Sequence, residues 1–304
     1  MTPSAAAVSV IIPTRGKPER LVLALHSLVR QASGTLARFE TVVVADGHDS
    51  GAAEAIRGMG NLPLEIELVE SARIGQAAAR NLGAARASGE ILVFMDDDVL
   101  LSPDYLRTVA AICIARSDTV VRAPVYLLRY LAAFRDPETG VPYQGHPTGL
   151  VDSKLAHERI SRRMILSDWP AIARRCRHLN RFERLVAQVL REPAPRFPWL
   201  GYSGSGVGIA RRLFMQAGGY DEAFGLMWGA EAIELGYRLW RSGAGFVQAE
   251  EIYSAHMDHP RGDSINTFGK SFDLFYAKHG DPAIREVQSL IVARDRRPTV
   301  SVPG

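Results

Sequence analysis

Three consecutive carboxylates, Asp96-Asp97-Asp98, follow the apolar run Ile91-Leu92-Val93-Phe94-Met95. Acids placed there suit a divalent cation and, through it, a phosphate. A diphosphate leaving group is activated when its charge is neutralised, and a cation held by carboxylates does this as Lewis acid and template. In an extended segment, side chains two apart point the same way. Asp96 and Asp98 can therefore aim at one ligand, with Asp97 facing otherwise, or taking a ribose if the strand has ended. The alternative is a solvated acidic turn, but three adjacent like charges repel and a structural role returns little for that cost. His256, within Ile252-Tyr253-Ser254-Ala255-His256, offers a nitrogen ligand that favours Mn2+ somewhat over Mg2+. His259 competes for the same role.

These groups need a rigid frame, and the hydrophobic pattern supplies one. Val8-Ser9-Val10-Ile11-Ile12, stopped by Pro13, reads as a buried strand, and Leu21, Leu25 and Leu28 set a helix over 18–31. A second strand, Glu40 to Val44, ends at Asp46-Gly47; a helix over 50–58 and an alternating segment from Leu64 to Val69 follow. Ala77 to Ala87 reads as helix, and the run before Asp96 as a fourth strand. Such alternation predicts an α/β fold with a mostly parallel, doubly wound sheet, whose ligands bind at the carboxyl ends of the strands. Thr14-Arg15, Asp46 and the three aspartates all sit at such ends.

Beyond residue 120 the character changes. Tyr126 to Phe134 is apolar and aromatic, with Tyr126, Tyr130 and Phe134 expected in the core or between lobes, and 135–150 reads as loop. Residues 152–191 read as helical and arginine-rich, from Arg159 to Arg191. That basic stretch is a solvated face, or meets an anionic acceptor, an acidic membrane surface or a second copy of the chain. Charge reversal at Arg174 and Arg175 tests the acceptor version. Helices are expected over 210–217 and 231–242. The division expected is 1–120 as a nucleotide-binding half, 121–200 as a helical insertion, 201–293 as an acceptor and catalytic half, and 294–304 as a loose tail.

The 304 residues are 47% hydrophobic and 23% charged, ordinary for a globular chain, and the net charge of +3 falls short of a nucleic-acid-binding signature. Two cysteines, Cys113 and Cys176, suggest neither a disulfide framework nor a thiolate zinc site, which fits a reducing, cytoplasmic setting. Neither a signal peptide nor a transmembrane segment is expected. Gly204-Ser205-Gly206-Val207-Gly208 lacks both the spacing and the position of a dinucleotide fingerprint, and no serine there has the flanks of a nucleophile elbow.

Six segments, in order, resemble glycosyltransferase family 2 over roughly residues 8–260. They are Val8 to Arg15; Val42-Val43-Val44-Ala45-Asp46-Gly47-His48-Asp49; Gly75 to Gly83 with Ala79-Arg80-Asn81; Phe94 to Asp98; Gly218 to Phe224; and Trp228 to Leu239. Each is weak alone; six in order are strong. The resemblance implies the GT-A fold, a UDP-sugar donor, Mn2+ or Mg2+, an inverting transfer and an acceptor that is a saccharide, glycan or small molecule. By the same resemblance Asp46 reads the base, Pro13, Thr14 and Arg15 line the nucleotide pocket, and Arg73 and Arg80 lie near base or diphosphate. Asp96 and Asp97 serve ribose and sugar, and Asp98 and His256 hold the metal. Trp228 packs on a sugar face, and Gly204 and Ser205 lie under the acceptor.

One departure matters. The family's Glu-Asp pair is Glu231-Ala232 here, so the usual general base, which takes the acceptor proton, is missing. Either Glu231 or Glu234, three apart on one helix face, acts instead, or the chain is a natural or engineered inactive variant, or it binds donor without turnover. A nucleotidyltransferase is the remaining alternative. It would need a basic glycine-rich loop after the first strand, of which Pro13-Thr14-Arg15-Gly16-Lys17 is a poor version, and it would release pyrophosphate.

Overall fold

In a computed structural model, residues 8–32, 39–47, 51–128, 160–257, 259 and 267–293 are described. His48, Asp49, Tyr130, Phe134, Arg159, the loop expected over 135–150 and the tail 294–304 lie outside them. A seven-stranded sheet forms the centre, in the order β10-β6-β9-β4-β1-β2-β3. Its strands are β1 Val8–Thr14, β2 Phe39–Asp46, β3 Ile66–Ser71, β4 Ile91–Phe94, β6 Thr119–Arg122, β9 Val207–Ala210 and β10 Gly245–Gln248. β1 pairs in parallel with β2 and β4, β2 with β3, and β6 with β10, while β9 runs antiparallel to both β4 and β6.

Strand alternation sends successive residues to opposite faces. Val8, Val10 and Ile12 pack with Leu21, Leu25 and Leu28 of the helix Pro18–Ala32. Ile11 faces the other way, towards Ala77 and Ala84 of the helix Gln76–Arg86. That helix approaches the sheet at Gly83, where a Cβ would lie 2.5 Å from Ile11 Cγ2. Gly83→Ala should therefore destabilise by about 1 to 2 kcal/mol, overlap outweighing the helix-propensity gain. Urea denaturation reads this; an unmoved midpoint would show that Ile11 gives way.

A second sheet, in the order β5-β11-β7-β8, joins β5 Val99–Leu101, β7 Val125–Leu127, β8 His178–Leu179 and β11 Ser254–His256. β5 begins immediately after Asp98, and its antiparallel pairing with β11 sets His256 opposite Val99. The Met257 N–H donates to the Asp98 carbonyl at 2.8 Å and extends this ladder. The helical reading of 152–191 needs correction over its described part. Three helices, Arg162–Ser167, Trp169–Ala173 and Arg181–Arg191, are separated by breaks and by β8. Asp168 and Asn180 cap the second and third with their side chains, so local capping divides what composition alone joins. Buried Arg122, at the end of β6, holds Glu183 of the third helix at 2.5 Å and so ties that helix to the sheet.

Candidate active site

Strands β1, β2 and β4 lie side by side and deliver the residues at their carboxyl ends to one cavity of about 1020 Å3. Pro13, Thr14, Arg15, Asp46, Arg73 and all three aspartates line it. Asp46 is held rigidly: the Ile74 N–H donates to its Oδ1 at 2.6 Å and the Gly75 N–H to its Oδ2 at 3.1 Å. Gly75 has φ +91°, and a Cβ there would lie 2.0 Å from the Gly225 carbonyl oxygen, so only glycine lets these two loops meet.

The three aspartates diverge. β4 ends at Phe94, and residues 97–98 form a turn, so the strand alternation expected to aim Asp96 and Asp98 at one ligand does not apply. Asp96 accepts from Arg80 Nη2 at 2.8 Å, and its own N–H donates to Ser205 Oγ at 2.9 Å. Asp97 accepts from Thr14 Oγ1 at 2.6 Å. Burial, with the charge of Asp98 behind it, pushes its carboxyl up to about 7 against that hydrogen bond. Asp98 faces two imidazoles, with Oδ1 at 3.5 Å from His256 Nε2 and Oδ2 at 3.0 Å from His259 Nε2. Burial works to raise the Asp98 carboxyl, but the two imidazoles outweigh it and hold the group well below the usual carboxylate range.

Ligand atoms of Asp98, His256 and His259 lie within 4.8 Å of one another. Asp98 Oδ1 is buried and makes no hydrogen bond. One carboxylate and two imidazoles with an unsatisfied oxygen fit a borderline divalent cation such as Mn2+, and the oxygen donor also admits Mg2+. Lys17 closes this corner, its Nζ 3.1 Å from His259 Nε2 and 3.3 Å from Nδ1. Burial lowers the Lys17 ammonium below its ordinary value, opposed chiefly by Asp98.

Arg80 lies behind the cavity wall at 2% exposure. It joins Asp96 to Glu231, whose Oε1 is 3.6 Å from Arg80 Nη1, and its guanidinium carbon sits 5.3 Å from the centre of the Tyr220 ring. Glu231 lines the cavity and accepts the Gly229 N–H on Oε2 at 3.0 Å. Ala232 is beside it in the wall. Gly204 backs this wall at φ +88°, where a Cβ would come within 2.9 Å of Ala232 Cβ. Ser205 and Trp228 reach the cavity, and the Trp228 N–H donates to Thr267 Oγ1 at 2.9 Å.

Glu234 does not join them. It is 1% exposed, and its carboxylate accepts Arg238 Nε at 2.8 Å and faces His279 Nε2 at 2.8 Å. Sharing a helix face with Glu231 was not enough, because Arg238 and His279 draw it away from the cavity. Several lining residues escaped sequence reading as site residues, Lys17, Phe182, Phe268 and Ile291 among them. Lys17 had only its place after the β1 loop to mark it; Phe182 and Ile291, which also line the cavity, carried no signal.

A sequence profile described as Glycosyl transferase family 2 matches residues 9–126. The chain is 31% identical over 276 residues to validoxylamine A glucosyltransferase of Streptomyces hygroscopicus, an alignment covering 90% of this chain and 61% of that one. It spans about three fifths of the length of such curated relatives. Its fold is similar to that of a mannosyltransferase from Pyrobaculum calidifontis in complex with GDP-Man and Mn2+. That match has a TM-score of 0.59 at 16% identity and covers 96% of this chain and 71% of the other. The S. aureus protein TarS in complex with UDP-GlcNAc matches with a TM-score of 0.57 at 15% identity, covering 90% and 66%. Among the described residues, no helix is long and apolar enough to cross a membrane.

Proposed function

The chain belongs to glycosyltransferase family 2 and has the GT-A fold, and from that premise we propose that it moves a sugar from a UDP-sugar to an acceptor hydroxyl with a divalent cation bound. The observation that carries this reading is the Asp98–His256–His259 group, set into the same cavity as Thr14, Asp46 and Arg73. A divalent cation bound there supplies Lewis-acid neutralisation of the departing diphosphate.

The chain's own residues do the rest. Asp46 has both oxygens anchored by backbone amides, yet each keeps a second lone pair for a donor N–H of the base. Arg15 and Arg73 add positive charge near the nucleotide. Asp96, fixed by Arg80 and Ser205, faces ribose and sugar. Trp228 and Phe268, with ring centres 6.0 Å apart, offer an apolar wall on the acceptor side. Transfer inverts the anomeric centre when the acceptor attacks from the face opposite the diphosphate. Glu231 is the acid we assign to the acceptor proton, since its Oε1 lies beyond hydrogen-bond distance of Arg80.

Thermal stabilisation by UDP-sugars against GDP-sugars, with and without Mn2+, tests the donor. Metal-dependent stabilisation by the UDP series is expected; a response to neither series counts against the reading. Ala232 favours a second one, a sugar-nucleotide-binding protein without turnover. Tight UDP binding with neither hydrolysis nor transfer, even after aspartate is restored at 232, would select it.

A further inference from the structure

The loop between β1 and the first helix holds a cation that none of the roles above uses. Gly16, at φ +64°, turns the chain back, and Lys17 then lines the cavity just before Pro18 opens the helix. Its Nζ rests against the ring of His259, within 3.3 Å of both nitrogens. His259 Nε2 is also the atom that meets Asp98 Oδ2 at 3.0 Å. The side chain thus acts as counter-ion to the acidic corner and lies against one of the three groups suited to a metal.

Two conditions on metal binding conflict with that placement. Nζ lies 3.1 Å from His259 Nε2, the nitrogen that faces Asp98, so a cation bound through that nitrogen would meet the ammonium. A divalent cation held by Asp98, His256 and His259 would also stand within a few ångströms of Nζ, where like charges in a partly buried site repel strongly. Lys17 must therefore leave His259 when a cation arrives. Its stem is long and flexible, and the cavity it lines is the one assigned above to the donor's diphosphate.

We infer that Lys17 is an exchange residue that holds the Asp98–His256–His259 corner until a divalent cation displaces it and then pairs with the donor's diphosphate, so that metal and nucleotide bind cooperatively. This rests on the donor reading given above. By linkage, a residue that opposes the metal alone and supports the nucleotide once metal is present strengthens the coupling between them.

The test uses the full chain, with MnCl2 and UDP as probes. Free Mn2+ is counted by electron paramagnetic resonance, and UDP is titrated calorimetrically at saturating Mn2+. For Lys17→Met, Mn2+ without nucleotide should bind about tenfold tighter, and UDP with Mn2+ about tenfold weaker. Lys17→Arg, which keeps the charge, should restore both constants to within a few-fold of the parent. Circular dichroism and Tm verify that each variant is folded. If folded Lys17→Met binds Mn2+ no tighter than the parent, or UDP no weaker, the exchange role is overturned while the donor reading stands. If the parent binds neither Mn2+ nor UDP, both fall together.

Discussion

Aspartate introduced at position 232 is expected to raise transfer to a hydroxyl acceptor by roughly 10²–10⁴-fold, the range a positioned general base contributes. The site is already built for it. Ala232 is in the cavity wall, one residue from Glu231 and at the start of the helix Glu231–Arg241. Glu231 replaces it only in part, because just one of its oxygens is left for an acceptor, the other taking the Gly229 N–H. The measurement is initial-rate release of UDP with and without acceptor, comparing the parent with Ala232→Asp. The gain should appear in kcat, with donor KM nearly unchanged, because Asp46, Thr14 and Asp98 are untouched. A gain in neither rate would remove position 232 from the chemistry. Glu231→Gln in the parent background should abolish whatever residual transfer exists.

Loss of Asp98 is the second large effect. Asp98→Asn keeps the shape but removes the charge that draws two imidazoles together, and Oδ1 is the buried oxygen without a hydrogen bond. Mn2+ binding should disappear at micromolar protein. Transfer should drop by roughly 10³-fold, since neutralising a leaving diphosphate is worth several kcal/mol. His256→Ala and His259→Ala should each weaken Mn2+ by about tenfold or more. A histidine whose removal leaves Mn2+ affinity intact is not a ligand, and paramagnetic resonance of free Mn2+ decides this for each separately.

Much of the donor end could be read from the chain because it rests on strong local patterns. β1, β2 and β4 are apolar runs that end at Thr14, at Asp46 and just before the aspartates, β1 continuing one residue past the Pro13 expected to stop it, and the cavity forms at those ends. The strands that complete the site could not be read in this way. β5, β7, β8 and β11 have two or three residues each, too few to show a period. Yet the β5–β11 ladder is what carries His256 and His259 to Asp98. From sequence alone the two histidines were rivals for one role, whereas the folded chain sets both beside the same carboxylate. The helix face shared by Glu231 and Glu234 was legible as well. What separates them is a contact with His279, from a helix far along the chain, and only folding reveals it.

The placement of β9 bears on how this protein is made. Phe94 of β4 pairs with Val207, so the edge of the strand that leads into the aspartates is closed by chain synthesised much later. During translation the donor corner waits, with one rim bare, until residue 210 has cleared the ribosome. Long-range closures of this kind slow folding and leave nascent chains prone to sticking. A fragment ending at residue 126 would keep that bare rim permanently and should be recovered mainly as insoluble material.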